Sequence, residues 1–297
     1  MHLAPLIVFV TLLQTAPPTP PKPTGFVADA RRLASATTNE ARFDGLTDML
    51  KRRSLPFVVE PFTIDKPVGR EPRTMGRNVV VTLGEGAPEI IVGAHYDAVR
   101  LPDGALSPGA VDNAASTVIL VRLAETLRTT PPLSRVKIVW FDMEELGLRG
   151  SAHFVKQHAG DRIAAMLNFD INGFGDTLVF GPSQRSENAA LRQTLVETCA
   201  AEDIACVGFP EMPPGDDRMF VKAGIPTISI GIVPALDAHQ LWLAMNAKEH
   251  SGLARETMPP ILKTIHTAAD TPDRLNEATM ARMHAFALSL VGAIARQ

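Results

Sequence analysis

The sequence has only two cysteines among its 297 residues, Cys199 and Cys206. So few cysteines exclude both a disulfide framework and a zinc module held by four cysteines. They leave open either one local disulfide bridge or a pair of free thiols. Any bound metal ion must therefore be held mainly by histidine and carboxylate side chains.

Aromatic residues are also scarce, at 5% of the chain, which predicts a mainly aliphatic core. No charge of one sign dominates, because 29 Lys and Arg stand against 32 Asp and Glu, a formal net charge of −3. A chain so close to neutral creates no strong field toward polyanions, and we expect no nucleic-acid partner. The shares of hydrophobic (45%) and charged (21%) residues are those of an ordinary globular protein, which argues against wholesale disorder.

The apolar run at residues 3–13 is well short of the ~20 residues that a membrane-spanning helix needs. Its length is typical of the apolar part of a signal peptide, and we predict such a leader over residues 1–16. A proline-rich tether follows at 17–25, which leaves 26–297 as a single domain. The leader predicts a secreted or periplasmic protein without stable membrane insertion. A buried N-terminal segment or a wrongly assigned start codon would fit the same residues.

Helical and extended patterns alternate along the rest of the chain without an internal repeat. This alternation predicts an α/β fold, a three-layer sandwich with a mainly parallel central sheet and helices on both faces. The predicted strands are 57–64, 78–83, 90–94, 136–141, 164–169 and 227–231, and the predicted helices are 28–53, 113–128, 146–158, 187–201 and 276–294.

Ionisable side chains follow several of the predicted strands or begin the helices after them. In open α/β sheets ligands bind at the carboxyl ends of the strands, so these positions are candidates for a site. Carboxylates gathered at one sheet edge repel one another unless a cation neutralises them, which favours a divalent metal. Imidazole together with carboxylate suits zinc. The candidates are His95, Asp97, Asp112, Glu144, Glu145, Asp170 and, near the C-terminus, His266.

The same residues carry a resemblance to a known family. The motifs are His95-Tyr96-Asp97, Asp112-Asn113, Glu144-Glu145-Leu146-Gly147, Asn168-Phe169-Asp170 and His266-Thr267 with Asp270-Thr271. In this order, over roughly residues 30 to 295, the sequence resembles the M28 metallo-aminopeptidases, zinc exopeptidases with two zinc ions per chain.

The resemblance implies a ligand for each metal position. His95 and Asp170 would hold one zinc ion, Glu145 and His266 the other, and Asp112 would bridge the two. Each ion would then keep an open position for water or substrate, as a catalytic site requires.

The resemblance also implies how the chemistry is divided. Glu144 would act as general base on a water that bridges the two metals, and would then protonate the leaving amine. Asp97 would accept the second ring N–H of the ligand His95.

Two departures from the family pattern concern the substrate. In many members a tyrosine precedes the last metal histidine and stabilises the oxyanion, whereas here the residue is Ile265 and the sole tyrosine is Tyr96. The family's Ser-Asp-His segment is replaced by Gly-Asp-Asp, with Asp216 and Asp217. We expect these two acids to attract the ammonium group of a substrate.

The function predicted from these residues is a secreted zinc exopeptidase that hydrolyses the N-terminal bond of a peptide or aminoacyl substrate. A glutaminyl-cyclase-like transferase with one zinc ion, or a non-catalytic binding domain of the same fold, would be the alternatives. The substrate pocket is expected in loops such as 101–109 and 234–245, the second of which contains Trp242.

Overall fold

The computed structural model describes residues 25–247, 250 and 259–297. The predicted signal peptide and all of the predicted tether except Gly25 lie outside these residues. No helix in the described part of the chain is both long and apolar enough to cross a membrane.

A single eight-stranded sheet forms the centre of the molecule, in the order β1-β2-β4-β3-β5-β8-β6-β7. The four neighbouring strands β4, β3, β5 and β8 run parallel to one another. Antiparallel pairs occur where β2 meets β1 and β4 and where β6 meets β8. The sheet is therefore mainly parallel, as predicted. The strands are β1 (Val58–Thr63), β2 (Met75–Leu83), β3 (Glu89–His95), β4 (Val136–Phe141), β5 (Ile163–Phe169), β6 (Thr177–Gly181), β7 (Ala205–Gly208) and β8 (Thr227–Val233).

Helices cover both faces of this sheet. On one face Val92 packs in a large cluster with residues of α1, α3, α5 and α9, while on the other Ile91 packs with Phe154 of α4 and Phe220 of α6. Alternate residues of β3 thus enter different cores, which explains why the strand is apolar throughout. The helices are α1 (Phe26–Ala34), α2 (Asn39–Arg52), α3 (Ala115–Thr129), α4 (Arg149–Gln157), α5 (Ala189–Ala201), α6 (Asp217–Lys222), α7 (Ala235–Trp242), α8 (Pro260–Thr264) and α9 (Glu277–Ile294).

The sequence did not predict the short elements β6, β7, α6 and α8, and two predicted segments differ from the structure. The helix predicted over 28–53 is divided into α1 and α2, because Thr38 accepts a hydrogen bond from the N–H of Ala41 and starts a new helix. The segment 234–245, predicted as a loop, contains α7 followed by a wider helical turn, so Trp242 lies on a helix.

Candidate metal centre

Three adjacent parallel strands end at the same edge of the sheet and deliver candidate residues there. His95 is the last residue of β3, Asp170 directly follows β5, and the pair Glu144 and Glu145 lies in a turn just beyond β4. Since β4, β3 and β5 are neighbours in the sheet, their polar ends converge.

Asp112 reaches this edge from an irregular turn, Ala110–Ala114, that precedes α3. The carboxylate of Asp270 fixes this turn by accepting the N–H groups of Val111 (2.8 Å) and Asp112 (3.1 Å). The side-chain amide of Asn113 donates to the carbonyl oxygen of Phe169, at 2.9 Å. The turn is therefore joined both to the end of β5 and to the segment that follows His266.

The two carboxylate oxygens of Asp112 face different histidines. Its Oδ1 lies 3.1 Å from His95 Nε2, whereas its Oδ2 lies 3.1 Å from His266 Nε2. Glu145 Oε2 lies 3.1 Å from the same nitrogen of His266, and Asp170 Oδ1 lies 3.5 Å from His95 Nε2. Asp112 thus stands between two sets of side chains, one on each of its oxygens.

These contacts form two groups of potential metal ligands that share Asp112. One contains His95 and Asp170, the other Glu145 and His266, and in each group the ligand atoms lie within 4.8 Å of one another. Glu145 Oε1 and Asp170 Oδ1 are buried and have no hydrogen-bond partner in the structure. Buried acceptors without partners are costly, and a divalent cation would satisfy them.

Burial and close contacts shift the pKa values of four of these side chains. Burial raises the pKa of Glu145 to about 7 and raises that of Asp170. Hydrogen bonds to Asp112 and Glu145 raise the pKa of His266 to about 11. Asp112 carries the negative charge, because its contacts with the two histidines hold its pKa below the usual range against the effect of burial.

Glu144 stands beside the ligand groups without belonging to either of them. Burial raises its pKa well above the usual value, and the neighbouring charges of Asp216 and Asp170 add to that rise. Asp97 fixes the turn, since its carboxylate accepts the N–H of Glu144 at 3.1 Å and that of Glu145 at 3.3 Å. The Nδ1 atom of His95, which faces away from Asp112, lies 3.2 Å from the main-chain carbonyl oxygen of Asp97 and 3.5 Å from its Oδ1 atom.

Asp216 and Asp217 lie at the start of α6, on the side of Asp170. Asp216 is only 1% exposed and Asp217 4%. Neither oxygen of Asp216 has a hydrogen-bond partner, and the nearby Ser151 hydroxyl donates instead to the carbonyl of Leu148. The structure therefore brings both residues toward the site as buried acids, outside the two ligand groups.

Two residues, Arg42 and Asp270, support the site in ways that the sequence analysis did not predict. Arg42 of α2 is completely buried and donates to the carbonyl oxygens of Tyr96 (2.6 Å), Pro108 (2.9 Å) and Gly109 (3.2 Å). Asp270 belongs to a motif already noted, but its hold on the Asp112 turn had no sequence signal. For Arg42 a signal exists, because it occupies the apolar stripe of α2 with Leu46, Met49 and Leu50.

The sole tyrosine does not take the place of the missing oxyanion donor. The hydroxyl of Tyr96 donates to the carbonyl of Arg77 at 3.0 Å, and the residue is fully buried. Ile265 is packed in an apolar cluster beside the site. Cys199 and Cys206 are both free thiols.

The fold and the two groups of potential ligands define a candidate metal centre at the edge of an α/β sheet. The family model described as "Peptidase family M28" matches residues 78–291 of this chain. The chain belongs to peptidase family M28, as its motifs had indicated.

Individual relatives match over shorter stretches or at low identity. An aminopeptidase of Pseudomonas aeruginosa is 35% identical over 117 residues, which cover 37% of this chain and 21% of that protein. The chain thus spans about a fifth of the length of this relative.

Two solved structures share the fold over most of the chain. A zinc aminopeptidase from Bacillus subtilis superposes with a TM-score of 0.66 at 13% identity, covering 90% of this chain and 93% of that one. The glutaminyl cyclase of Fimbriiglobus ruber superposes with a TM-score of 0.72 at 16% identity, covering 96% and 99%. Both confirm the predicted α/β architecture.

Proposed function

We propose that this protein is a zinc-dependent aminopeptidase, which hydrolyses the bond after the N-terminal residue of a peptide. Family membership supports the reaction class. The observation that carries the proposal is the placement of Asp112, whose two oxygens each lie 3.1 Å from a different candidate ligand histidine. A carboxylate placed in this way is suited to bridge two ions.

The residues present fit zinc. His95, Asp170 and Asp112 would hold one ion, and Glu145, His266 and Asp112 the other, with the nitrogen and oxygen donors that zinc accepts. The unpaired oxygens of Glu145 and Asp170 support this assignment. When bound, zinc supplies Lewis acidity that polarises a carbonyl group and lowers the pKa of water.

Glu144 is the residue that we assign as general base. Its main chain is held by Asp97 while its carboxylate remains outside both ligand groups, so the side chain is available for proton transfer. Burial raises its pKa well above the usual value, which makes its carboxylate a stronger base. Glu144 would take the proton of the attacking water and deliver it to the leaving amine.

Asp97 would act as a positioning residue and not as a proton carrier. It is 1% exposed, and its carboxylate accepts the main-chain N–H of Glu144, while its carbonyl oxygen is the nearest acceptor to Nδ1 of His95, at 3.2 Å. An acceptor at the second ring nitrogen fixes the orientation of a ligand histidine.

We also propose that the protein is exported and acts on peptides outside the cytoplasm. The support is the apolar run at residues 3–13 and the proline-rich stretch after it, both in the sequence alone. Expression of the full chain and determination of the mature N-terminus would test this part, and recovery of the intact N-terminus in the cytoplasmic fraction would contradict it.

The two adjacent glutamates offer a sharp test of the enzymatic proposal. In Glu144→Gln we expect the rate of hydrolysis of aminoacyl arylamides to fall by about 10²–10⁴-fold. Zinc content should be unchanged, because only the base is removed. In Glu145→Gln we expect loss of about one zinc ion per chain as well as activity. The exposed Glu85→Gln serves as the matched control.

Elemental analysis and a chelator complete the design. Two zinc ions per chain and arylamide cleavage that stops with chelator would support the proposal. One zinc ion with ring closure of N-terminal glutamine peptides would establish the cyclase instead. Activity that survives both chelator and Glu144→Gln would refute a metallo-aminopeptidase.

A further inference from the structure

The turn that carries Glu144 begins with a main-chain conformation that few side chains adopt. Met143, directly before Glu144, has a φ of 57°, in the left-handed region that glycine favours. Such a residue persists only where the surrounding contacts hold it in place. Asp97 accepts the N–H groups of Glu144 and Glu145, but neither of these bonds involves Met143. The start of the turn therefore depends on a second support.

Asp142 supplies this support from the position directly after β4. Its side chain is completely buried. Its Oδ1 atom accepts the N–H of Met143 at 2.8 Å, and its Oδ2 atom accepts the N–H of Arg77, in β2, at 3.0 Å. One carboxylate thus ties the left-handed residue to the neighbouring strand.

The far end of the turn closes on the same residue. The N–H of Gly150 donates to the carbonyl oxygen of Asp142 at 2.9 Å. A Cβ on Gly150 would lie 2.4 Å from that oxygen and 2.5 Å from Asn78 Oδ1, so no side chain fits there. Asn78 joins the two ends, since it accepts the N–H of Asp142 at 3.2 Å and donates to the carbonyl oxygen of Gly150 at 2.9 Å. A shift of Asp142 would therefore move both ends of the turn.

The carboxylate of Asp142 is itself held by Arg73, which lies just before β2. Two guanidinium nitrogens of Arg73 donate to it, at 3.1 Å to Oδ2 and 3.2 Å to Oδ1. Two such parallel bonds fix the orientation of a carboxylate as well as its position. Burial and the nearby charge of Asp97 raise the pKa of Asp142, whereas the charge of Arg73 lowers it. Without the guanidinium, a buried carboxylate would face Asp97 without its cationic partner.

We propose that Arg73 is a positioning residue for Glu144, which it supports through Asp142 and the main chain of Met143. This inference rests on the proposed function, in which Glu144 is the general base. The ion pairs of Arg73 are with Glu40, Glu71 and Asp142, all of which lie outside the two ligand groups.

Glu144 depends on the turn more than Glu145 does. Glu145 belongs to a ligand group, where a bound ion would hold its carboxylate, whereas Glu144 belongs to neither group. A small displacement of the turn would therefore affect the base first. Loss of Arg73 should lower kcat while zinc content and KM stay at their wild-type values.

Arg73→Gln tests this link, with the exposed Arg70→Gln from the same segment as the matched control. On the zinc-loaded enzyme with an aminoacyl arylamide, we expect Arg73→Gln to lower kcat by about 10- to 100-fold, as for a misplaced catalytic group. Arg70→Gln should leave kcat unchanged. Arg73→Lys should recover part of the loss, because it keeps the charge but not the planar pair of donors.

Amide hydrogen exchange reports on the turn without catalysis. The N–H of Met143, which Asp142 accepts, should exchange about 10- to 100-fold faster in Arg73→Gln than in Arg70→Gln, the effect of weakening a hydrogen bond to a charged group. NMR spectroscopy of the zinc-loaded protein measures this rate.

A double variant covers the case in which Arg73→Gln does not fold. Arg73→Gln combined with Asp142→Asn leaves no unpaired charge in the pair, so we expect it to fold. Its kcat should be no lower than that of Asp142→Asn alone, because both substitutions break the same link. A folded double variant with the kcat of the wild type would overturn the inference.

The results separate this inference from the proposed function. Wild-type kcat in Arg73→Gln, a loss of zinc that matches its loss of kcat, or unchanged exchange of Met143 would overturn the inference and leave the aminopeptidase proposal intact. If the wild-type protein does not cleave arylamides, the aminopeptidase proposal fails. Faster exchange of Met143 in Arg73→Gln would then still support the action of Arg73 on the turn, and unchanged exchange would overturn it.

Discussion

The side chain of Asp97 is hydrogen-bonded to the main chain of Glu144, because Oδ1 of Asp97 accepts the N–H of Glu144 at 3.1 Å. The other oxygen of the same carboxylate accepts the N–H of Glu145 at 3.3 Å. Asp97 comes two residues after His95 at the end of β3, whereas the two glutamates follow β4. The buried Asp97 side chain therefore fixes the main chain of Glu144, the proposed base, and of Glu145, a candidate ligand. It also lies close to His95, a candidate ligand of the other group.

We expect Asp97→Asn to reduce both zinc affinity and kcat by about 10- to 100-fold, the usual effect of losing a support for a metal ligand. Its amide oxygen can accept one of the two main-chain N–H groups, but its NH₂ group would face the other. Zinc titration and steady-state kinetics measure the two effects. A variant with normal zinc affinity and normal kcat would show that this carboxylate does not organise the site.

Asp270→Asn should weaken zinc binding to both groups, because the carboxylate that fixes the Asp112 turn would lose one of its two acceptor atoms. We expect a change of about 10- to 100-fold in zinc affinity. Asp273→Asn, in the same segment, is the control: its ion pair with Arg31 is exposed and contributes little. Equal zinc affinities in the two variants would contradict the role of Asp270.

Arg42→Met should destabilise the protein by about 2–5 kcal/mol, because three main-chain carbonyl groups lose a charged donor inside the protein. Arg42→Lys should fall between wild type and Arg42→Met, since one ammonium group cannot reproduce the spread of a guanidinium. Urea unfolding measures the change. The exposed Arg52→Met on the same helix should be close to neutral.

Zinc affinity should rise with pH, because His266 must release a proton before it can ligate. Its pKa is raised to about 11 in the metal-free protein, by hydrogen bonds to Asp112 and Glu145. We expect about a tenfold gain per pH unit for each proton displaced, measured by competition with a chelator of known affinity. We expect His266→Ala to bind less zinc, and the slope of the logarithm of its zinc affinity against pH should correspond to one proton fewer than in the wild type. An unchanged slope would contradict the assignment of His266 as a ligand.

The metal-free protein should lose stability as pH rises from about 4 to about 8, partly through Asp216. Burial raises the pKa of Asp216 from 3.8 to about 8, so within this window the folded chain holds a proton that the unfolded chain releases. The free energy of unfolding therefore falls as pH increases, then levels off above the folded pKa.

Asp216→Asn removes this titration. Relative to wild type, the variant should gain stability progressively across the same window, on the order of 1–5 kcal/mol in total. Thermal melts of both proteins without metal measure the difference. A gap between the two melting temperatures that does not change with pH would contradict the buried, unpaired state of this carboxylate.

The candidate residues at strand ends could be predicted because the signal for each lies in the neighbouring sequence. The apolar run before His95 predicts a buried strand, and the residues that follow a parallel strand lie at the ligand-binding edge of the sheet. The five candidate ligands were identified in this way and by motif, and the structure brings all five together.

Arg42 and Asp270 show where such prediction ends. Arg42 acts on residues 96–109 from a helix far away in the sequence, and Asp270 holds Asp112 across 158 positions. In both contacts the partner residue contributes a main-chain atom, so its residue type carries no signal of the contact. Short elements such as β7 were missed because four residues are too few to show a hydrophobic periodicity.

The order of the candidate ligands along the chain separates the two ligand groups in time. His95, Asp112 and Asp170 have all been synthesised when residue 170 is added, whereas the other group must await His266. At ribosomal rates of about 5–20 residues per second, the first group precedes the second by roughly 5–20 s. We expect the group of His95, Asp112 and Asp170 to be the one that could bind an ion while the chain is still being synthesised.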